Sequence, residues 1–138
     1  MNAQAFAAAL ASEGFDVLAE ARGYTASHQV LTRHGELDSG AGAKAAARLE
    51  RAGIITNMNM LPGDTKAMTP SGLRLGVQEL TRVGFTASDM EDVARFYARI
   101  LLHDEAPEAV KKDVVEMKAE RQVIRYCFND EGRSGYPE

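Results

Sequence analysis

Positions 72–76 read Gly72-Leu73-Arg74-Leu75-Gly76, a lone arginine between leucines that are themselves bracketed by glycines. If this run is extended, its side chains alternate, so Leu73 and Leu75 face one way and the Arg74 guanidinium the other. The flanking glycines let backbone or a ligand approach closely. A guanidinium presented from a stiff strand suits two-pronged recognition of a carboxylate. The same pattern also describes an edge-strand arginine, or one paired with a structural Asp or Glu. Upstream, Asn57 and Asn59 bracket Met58 at strand spacing, which sends both amides to one side, although asparagines that end a strand also form turns.

The remaining chemistry-bearing residues point elsewhere. His28, His34 and His103 are the only histidines, and neither carboxylate nor cysteine joins them at metal-ligand spacing, so no metal is expected. Gly40, Gly42 and Lys44 suggest a phosphate loop, but Lys44 is followed by Ala45 and the GxxxxGK[ST] register is missing. A helix start with flexible glycines explains that run. Cys127 is the single cysteine, so it cannot close an internal disulfide, and a reducing cytoplasm is the expected setting.

Composition limits the partners. The 138 residues suffice for one domain with a real core, and 45% apolar with 26% charged residues fits an ordinary globule. A net charge of −4 with no basic cluster argues against a nucleic acid held by phosphate contacts. No apolar run approaches a membrane span.

Helices and short strands must position Arg74. The alanine-rich run Asn2–Ser12 reads as a helix stopped by Gly14. Asp16–Ala21 and His28–Thr32 read as strands around the Gly23 turn. Ser39 and Gly40 open a second helix with Ala41, Ala45, Leu49 and Ala52 on one face, closed by Gly53. Ile54–Asn57 reads as a third strand, and an irregular loop with Pro62, Gly63 and Pro70 leads to a strand over Leu73–Val77. A capping box at Ser88 and Glu91 starts a helix with Met90, Val93, Ala94, Tyr97 and Leu101 at helical spacing. Pro107 opens a last helix whose stripe is Val110, Val114, Met117, Ile124 and Phe128, interrupted by Arg121. This order predicts an α+β fold, a small antiparallel or mixed sheet covered by helices, spanning residues 1–138 as a single domain.

Several short motifs occur together: Asn57-Met58-Asn59, Pro62-Gly63-Asp64, Ser71-Gly72-Leu73-Arg74-Leu75-Gly76 and Thr81-Arg82-Val83-Gly84-Phe85. Gly23-Tyr24-Thr25-Ala26-Ser27-His28 precedes them and Gly135-Tyr136-Pro137 stands just before the last residue, Glu138. In this order they resemble the small C-terminal domain of serine hydroxymethyltransferase and its relatives, pyridoxal-phosphate enzymes of fold type I. The resemblance implies that Arg74 grips the α-carboxylate of a glycine or serine substrate, with Ser71 and Gly72 shaping the turn ahead of it. It puts Asn59 on the asparagine that touches the pterin of tetrahydrofolate, with Asp64 in the adjoining loop on the co-substrate side. Gly76-Val77-Gln78-Glu79 departs from the family's Gly-Thr-Pro-Ala, and Val83 stands where an arginine is usual. That form is similar to a divergent branch containing threonine transaldolases and α-methylserine hydroxymethyltransferases.

The resemblance also implies what this chain lacks. The Schiff-base lysine and most pyridoxal-phosphate contacts belong to a large catalytic domain, and none of Lys44, Lys66, Lys111, Lys112 or Lys118 stands in the matching setting. With Met1 falling inside the helix that would leave that domain, a split enzyme is expected. Its large-domain partner chain would hold the cofactor, and the heteromer would be a dimer of heterodimers. An excised domain is the alternative origin, and a scaffold or amino-acid-binding module that keeps the fold is the alternative function.

Overall fold

Helix propensity and a buried Phe6–Leu10 pair make the first element α1 (Asn2–Glu13), in a computed structural model that describes residues 1–121 and 124. The helix closes as a Schellman turn, with Gly14 at φ 103 and the Phe15 N–H bonded to the Leu10 carbonyl. The other elements are β1 (Asp16–Val17), β2 (Gln29–Arg33), α2 (Ala41–Arg51), β3 (Asn57–Asn59), β4 (Gly72–Gly76), α3 (Gln78–Arg82), α4 (Asp89–Leu101) and α5 (Pro107–Ala119).

The four strands form one sheet in the order β1-β2-β4-β3, antiparallel throughout, which resolves the expectation of an antiparallel or mixed sheet. One face is buried by α1, which lies along β1 and β2, and by α2, which lies along β4 and β3. Helix α4 packs on α1, where Phe6 and Tyr97 meet edge to face at 5.4 Å, and α5 packs on α2 and α4. Val30, Leu73 and Leu75 from the strands join Leu10, Leu49, Met90 and Ile100 from the helices in this core.

Four expectations are corrected. The first strand stops at Val17 because Ala19 takes a left-handed φ of 64 and a 3-10 turn over Glu20–Arg22 follows. The third strand starts at Asn57, not Ile54, because Ile54 is consumed in capping α2: its N–H bonds to the Leu49 carbonyl while Gly53 sits at φ 80. The Ser88–Glu91 capping box does not form. Asp89 instead accepts from the Thr86 N–H at 2.7 Å and the Thr86 hydroxyl at 2.8 Å, while Glu91 lies 3.8 Å from Arg95. Finally, α5 ends at Ala119, since Arg121 turns back to bond Asp89 at 2.8 Å with its guanidinium 5.9 Å from the Phe85 ring centroid. The short helix α3 was not expected at all. Cys127, Phe128 and the closing Gly135-Tyr136-Pro137 lie outside the described residues.

Candidate functional site on the open sheet face

Antiparallel register decides which side chains share a face, because directly opposed residues project to the same side. On the face away from the helices, one row runs Leu31, Arg74, Asn57 and the next runs Asp16, Arg33, Gly72, Asn59. Leu73 and Leu75 are buried in the core while Arg74 between them is exposed, so the alternation expected from the sequence is the one observed. Strand β4 is flanked by β2 and β3, so Arg74 is not an edge-strand residue. Nor is it, among the described residues, the partner of a structural acid. Among the described residues, no ion pair or hydrogen bond involves its side chain, whereas its neighbour Arg33 lies 3.3 Å from Asp16. A charged fork is thus held out from a rigid strand with the Asn57 amide opposite it. That arrangement can take a carboxylate through two parallel N–H bonds, with room for a third from an amide.

Gly72 is required by close approach. A side chain there would overlap Leu61, which covers this spot of the open face and is buried. From the other side Gly42 of α2 meets the Gly72 backbone, and a Cβ on Gly42 would overlap the Gly72 carbonyl. The strand is therefore clamped at Gly72, two residues before Arg74, between a loop and a helix.

Ser71 is fully buried and its hydroxyl donates to Asp64 Oδ2 at 2.8 Å. Its N–H donates to the same oxygen at 3.0 Å and its carbonyl accepts the His34 N–H at 2.9 Å. Asp64 also accepts the N–H of Leu61 at 2.8 Å and of Asp38 at 2.7 Å. Partial burial pushes the Asp64 carboxyl up, but the amides of Leu61, Ser71 and Asp38 with the Ser71 hydroxyl outweigh it and hold the group far below the usual carboxylate range. Asp64 thus faces inward, toward its own loop. Asn59 lies in the row of Gly72, with its amide donating to the Met60 carbonyl.

The histidines do not converge. His28 is exposed just before β2, and His34 lies just beyond it, packed 5.9 Å from Phe15 and bonded through Nε2 to Thr32 Oγ1 at 2.8 Å. Burial lowers His34 to about 4, partly opposed by Asp16. Among the described residues no group of three or more His, Cys, Asp or Glu side chains is arranged to hold a metal ion, and no helix is long and apolar enough to cross a membrane.

Residues 1–97, which contain every candidate site residue, match the family model described as serine hydroxymethyltransferase. The chain belongs to the serine hydroxymethyltransferase family. It is 50% identical over 130 residues to the serine hydroxymethyltransferase of Thermococcus kodakarensis, covering 93% of this chain and 30% of that protein. It is 47% identical over 133 residues to that of Methanocella arvoryzae, covering 95% of this chain and 31% of that protein. The chain thus spans about 30% of the length of the curated relatives it matches. Among solved structures, an L-threonine transaldolase from Pseudomonas fluorescens in the internal aldimine state superposes with a TM-score of 0.77 at 31% identity, over 88% of this chain and 27% of that one.

Set within this family, the site contains residues that sequence reasoning missed. Gly42 and Leu61 both meet the Arg74 strand at Gly72, and Asp38 bonds Asp64, which in turn holds Ser71 at the strand's start; no local pattern assigns any of them that place.

Proposed function

We propose that this chain is the small-domain subunit of a pyridoxal-phosphate-dependent, serine hydroxymethyltransferase-like enzyme. The reaction would be aldol or retro-aldol transfer on glycine, serine or a related β-hydroxy-α-amino acid, and Arg74 would bind the substrate α-carboxylate. The observation that carries this reading is the exposed Arg74 fork, without an ion-pair partner among the described residues, on an interior strand of a chain that belongs to this family. An arginine kept unpaired in that setting serves recognition better than stability. Asn57, paired with Arg74 across β3 and β4, would stand beside the bound carboxylate, and Ser71 and Gly72 set the start of the strand. Asn59 and the Pro62–Asp64 loop border the co-substrate side, where a tetrahydrofolate pterin would stack in those members that use one.

The cofactor itself does not fit this chain. A Schiff-base lysine needs a desolvated pocket to lower its pKa, whereas all five lysines are exposed, on α2, on α5 and in the loop before β4. The lysine and the cofactor cradle therefore belong to a large domain, which we assign to a partner chain in a cytoplasmic heteromer with two copies of each subunit. The cofactor supplies the electron sink, and this chain supplies orientation.

Co-expression with a large-domain chain tests the reading. A yellow complex whose spectrum responds to glycine supports it, and that response should disappear in Arg74→Ala while the complex stays yellow. A colourless isolated chain that binds glycine by itself would replace the enzyme with an amino-acid-binding module. A chain that neither binds glycine nor recruits a partner would leave only a scaffold.

A further inference from the structure

We propose that Asp64, buttressed by Asp38, is a positioning residue for Arg74: a pair of carboxylates that ties two loops together and thereby fixes where the carboxylate-binding strand begins. This rests on the reading of Arg74 given above.

The two acids hold donors from two neighbouring loops. Asp38 sits at a left-handed φ of 56 in the loop before α2. Its carboxylate accepts the Thr65 N–H at 2.8 Å, the Thr65 hydroxyl at 2.7 Å and the Lys66 N–H at 2.8 Å. Its own N–H donates to Asp64 Oδ1. Asp64 then uses Oδ2 for Leu61 at one end of the 61–71 loop and for both donors of Ser71 at the other. One oxygen thus closes the loop on itself, and the other ties it to the neighbouring loop.

Both ends of that closed loop act on β4. Leu61 is the side chain that covers Gly72, and Ser71 is the residue directly before it, anchored in turn through its carbonyl to His34. Arg74 is the next residue of the strand on the same face as Gly72. A displacement of Leu61 or Ser71 therefore shifts the base from which the guanidinium projects. The clamp at Gly42 leaves little freedom for the strand to compensate.

The chemistry demands a carboxylate. Every partner of Asp64 is a donor, and only a group with two acceptor oxygens satisfies donors on both sides. Asn at this position would turn an NH2 toward either Asp38 or the Leu61 and Ser71 amides, so one of the two ties must open. Among the described residues no Lys, Arg or His forms a salt bridge with either acid, so the Thr65 and Ser71 hydroxyls and backbone amides stabilise both charges.

The test compares Asp64→Asn, Asp38→Asn and Arg74→Ala in the cofactor-loaded assembly, reading steady-state constants and amide hydrogen exchange on the same preparations. Asp64→Asn should raise KM for the amino acid about tenfold with kcat changed much less, because ground-state and transition-state binding weaken together. Exchange over 57–76 should accelerate while α1 stays protected. Asp38→Asn, which leaves the Leu61 and Ser71 donors on Asp64, should raise KM about threefold, and it carries the test if Asp64→Asn fails to assemble. Arg74→Ala should raise KM without changing exchange. Faster exchange with unchanged KM in both acid variants would overturn the positioning role and leave Arg74 standing, whereas unchanged KM in Arg74→Ala would remove the carboxylate reading itself.

Discussion

Replacing Arg74 separates recognition from stability. Its side chain makes no ion pair or hydrogen bond among the described residues, and it stands on the open face while Leu73 and Leu75 hold the core. Arg74→Ala should therefore shift unfolding free energy by no more than about 0.5 kcal/mol, the usual range for a surface change away from such contacts. Substrate binding should respond very differently. A carboxylate gripped by two charge-assisted hydrogen bonds, at about 1.5 kcal/mol or more each, loses about 3 kcal/mol when the fork is deleted. That loss corresponds to roughly 150-fold weaker binding. Arg74→Lys keeps the charge but not the planar fork, and should recover about half of the lost free energy. The assay is a titration of the loaded complex with glycine and with glycinamide, which lacks the carboxylate. Wild type should prefer glycine strongly, and Arg74→Ala should bind the two about equally. Equal binding of glycine by wild type and Arg74→Ala, with folding intact, would refute the assignment.

Three further outcomes follow from the geometry. Gly42→Ala drives a Cβ into the backbone of Gly72, which cannot rotate aside, so urea unfolding should show a loss of about 3 kcal/mol. Ser71→Ala removes a buried hydroxyl that bonds a carboxylate, and the same assay should report a loss of about 1.5–3 kcal/mol. His34 should impose a pH slope on stability, since burial lowers it to about 4 and the unfolded imidazole titrates near 6.5. The unfolded chain binds the extra proton between those values, so His34's contribution is complete above about pH 6.5 and is lost as pH falls toward 4. The urea midpoint should decline across that window in wild type and less steeply in His34→Gln. Asp64, held below the usual carboxylate range, adds its own loss only at more acidic pH.

The local sequence determined most of the elements and the direction of Arg74. Alternation over Leu73-Arg74-Leu75 was enough to send the guanidinium away from the core, because a strand has a period of two wherever it lies. Helices α1, α2, α4 and α5 followed from alanine content, apolar spacing, the Gly14 and Gly53 stops and Pro107, all of which act within a few residues. The limits of β1 and β3 did not follow, since Ala19 leaves extended backbone and Ile54 is spent on a helix cap. Both choices depend on hydrogen bonds that compete with strand pairing. Helix α3 is too short for a periodic signal to emerge.

Tertiary structure alone decided the company Arg74 keeps. Strand order made β4 interior and set Asn57 opposite the guanidinium, a pairing between residues far apart in the chain. Asp38 meets Asp64 across 26 positions, and Gly42 meets Gly72 only because α2 crosses the strand there. Such contacts depend on how layers stack, and the residues that make them show in sequence as an ordinary acid and an ordinary helical glycine.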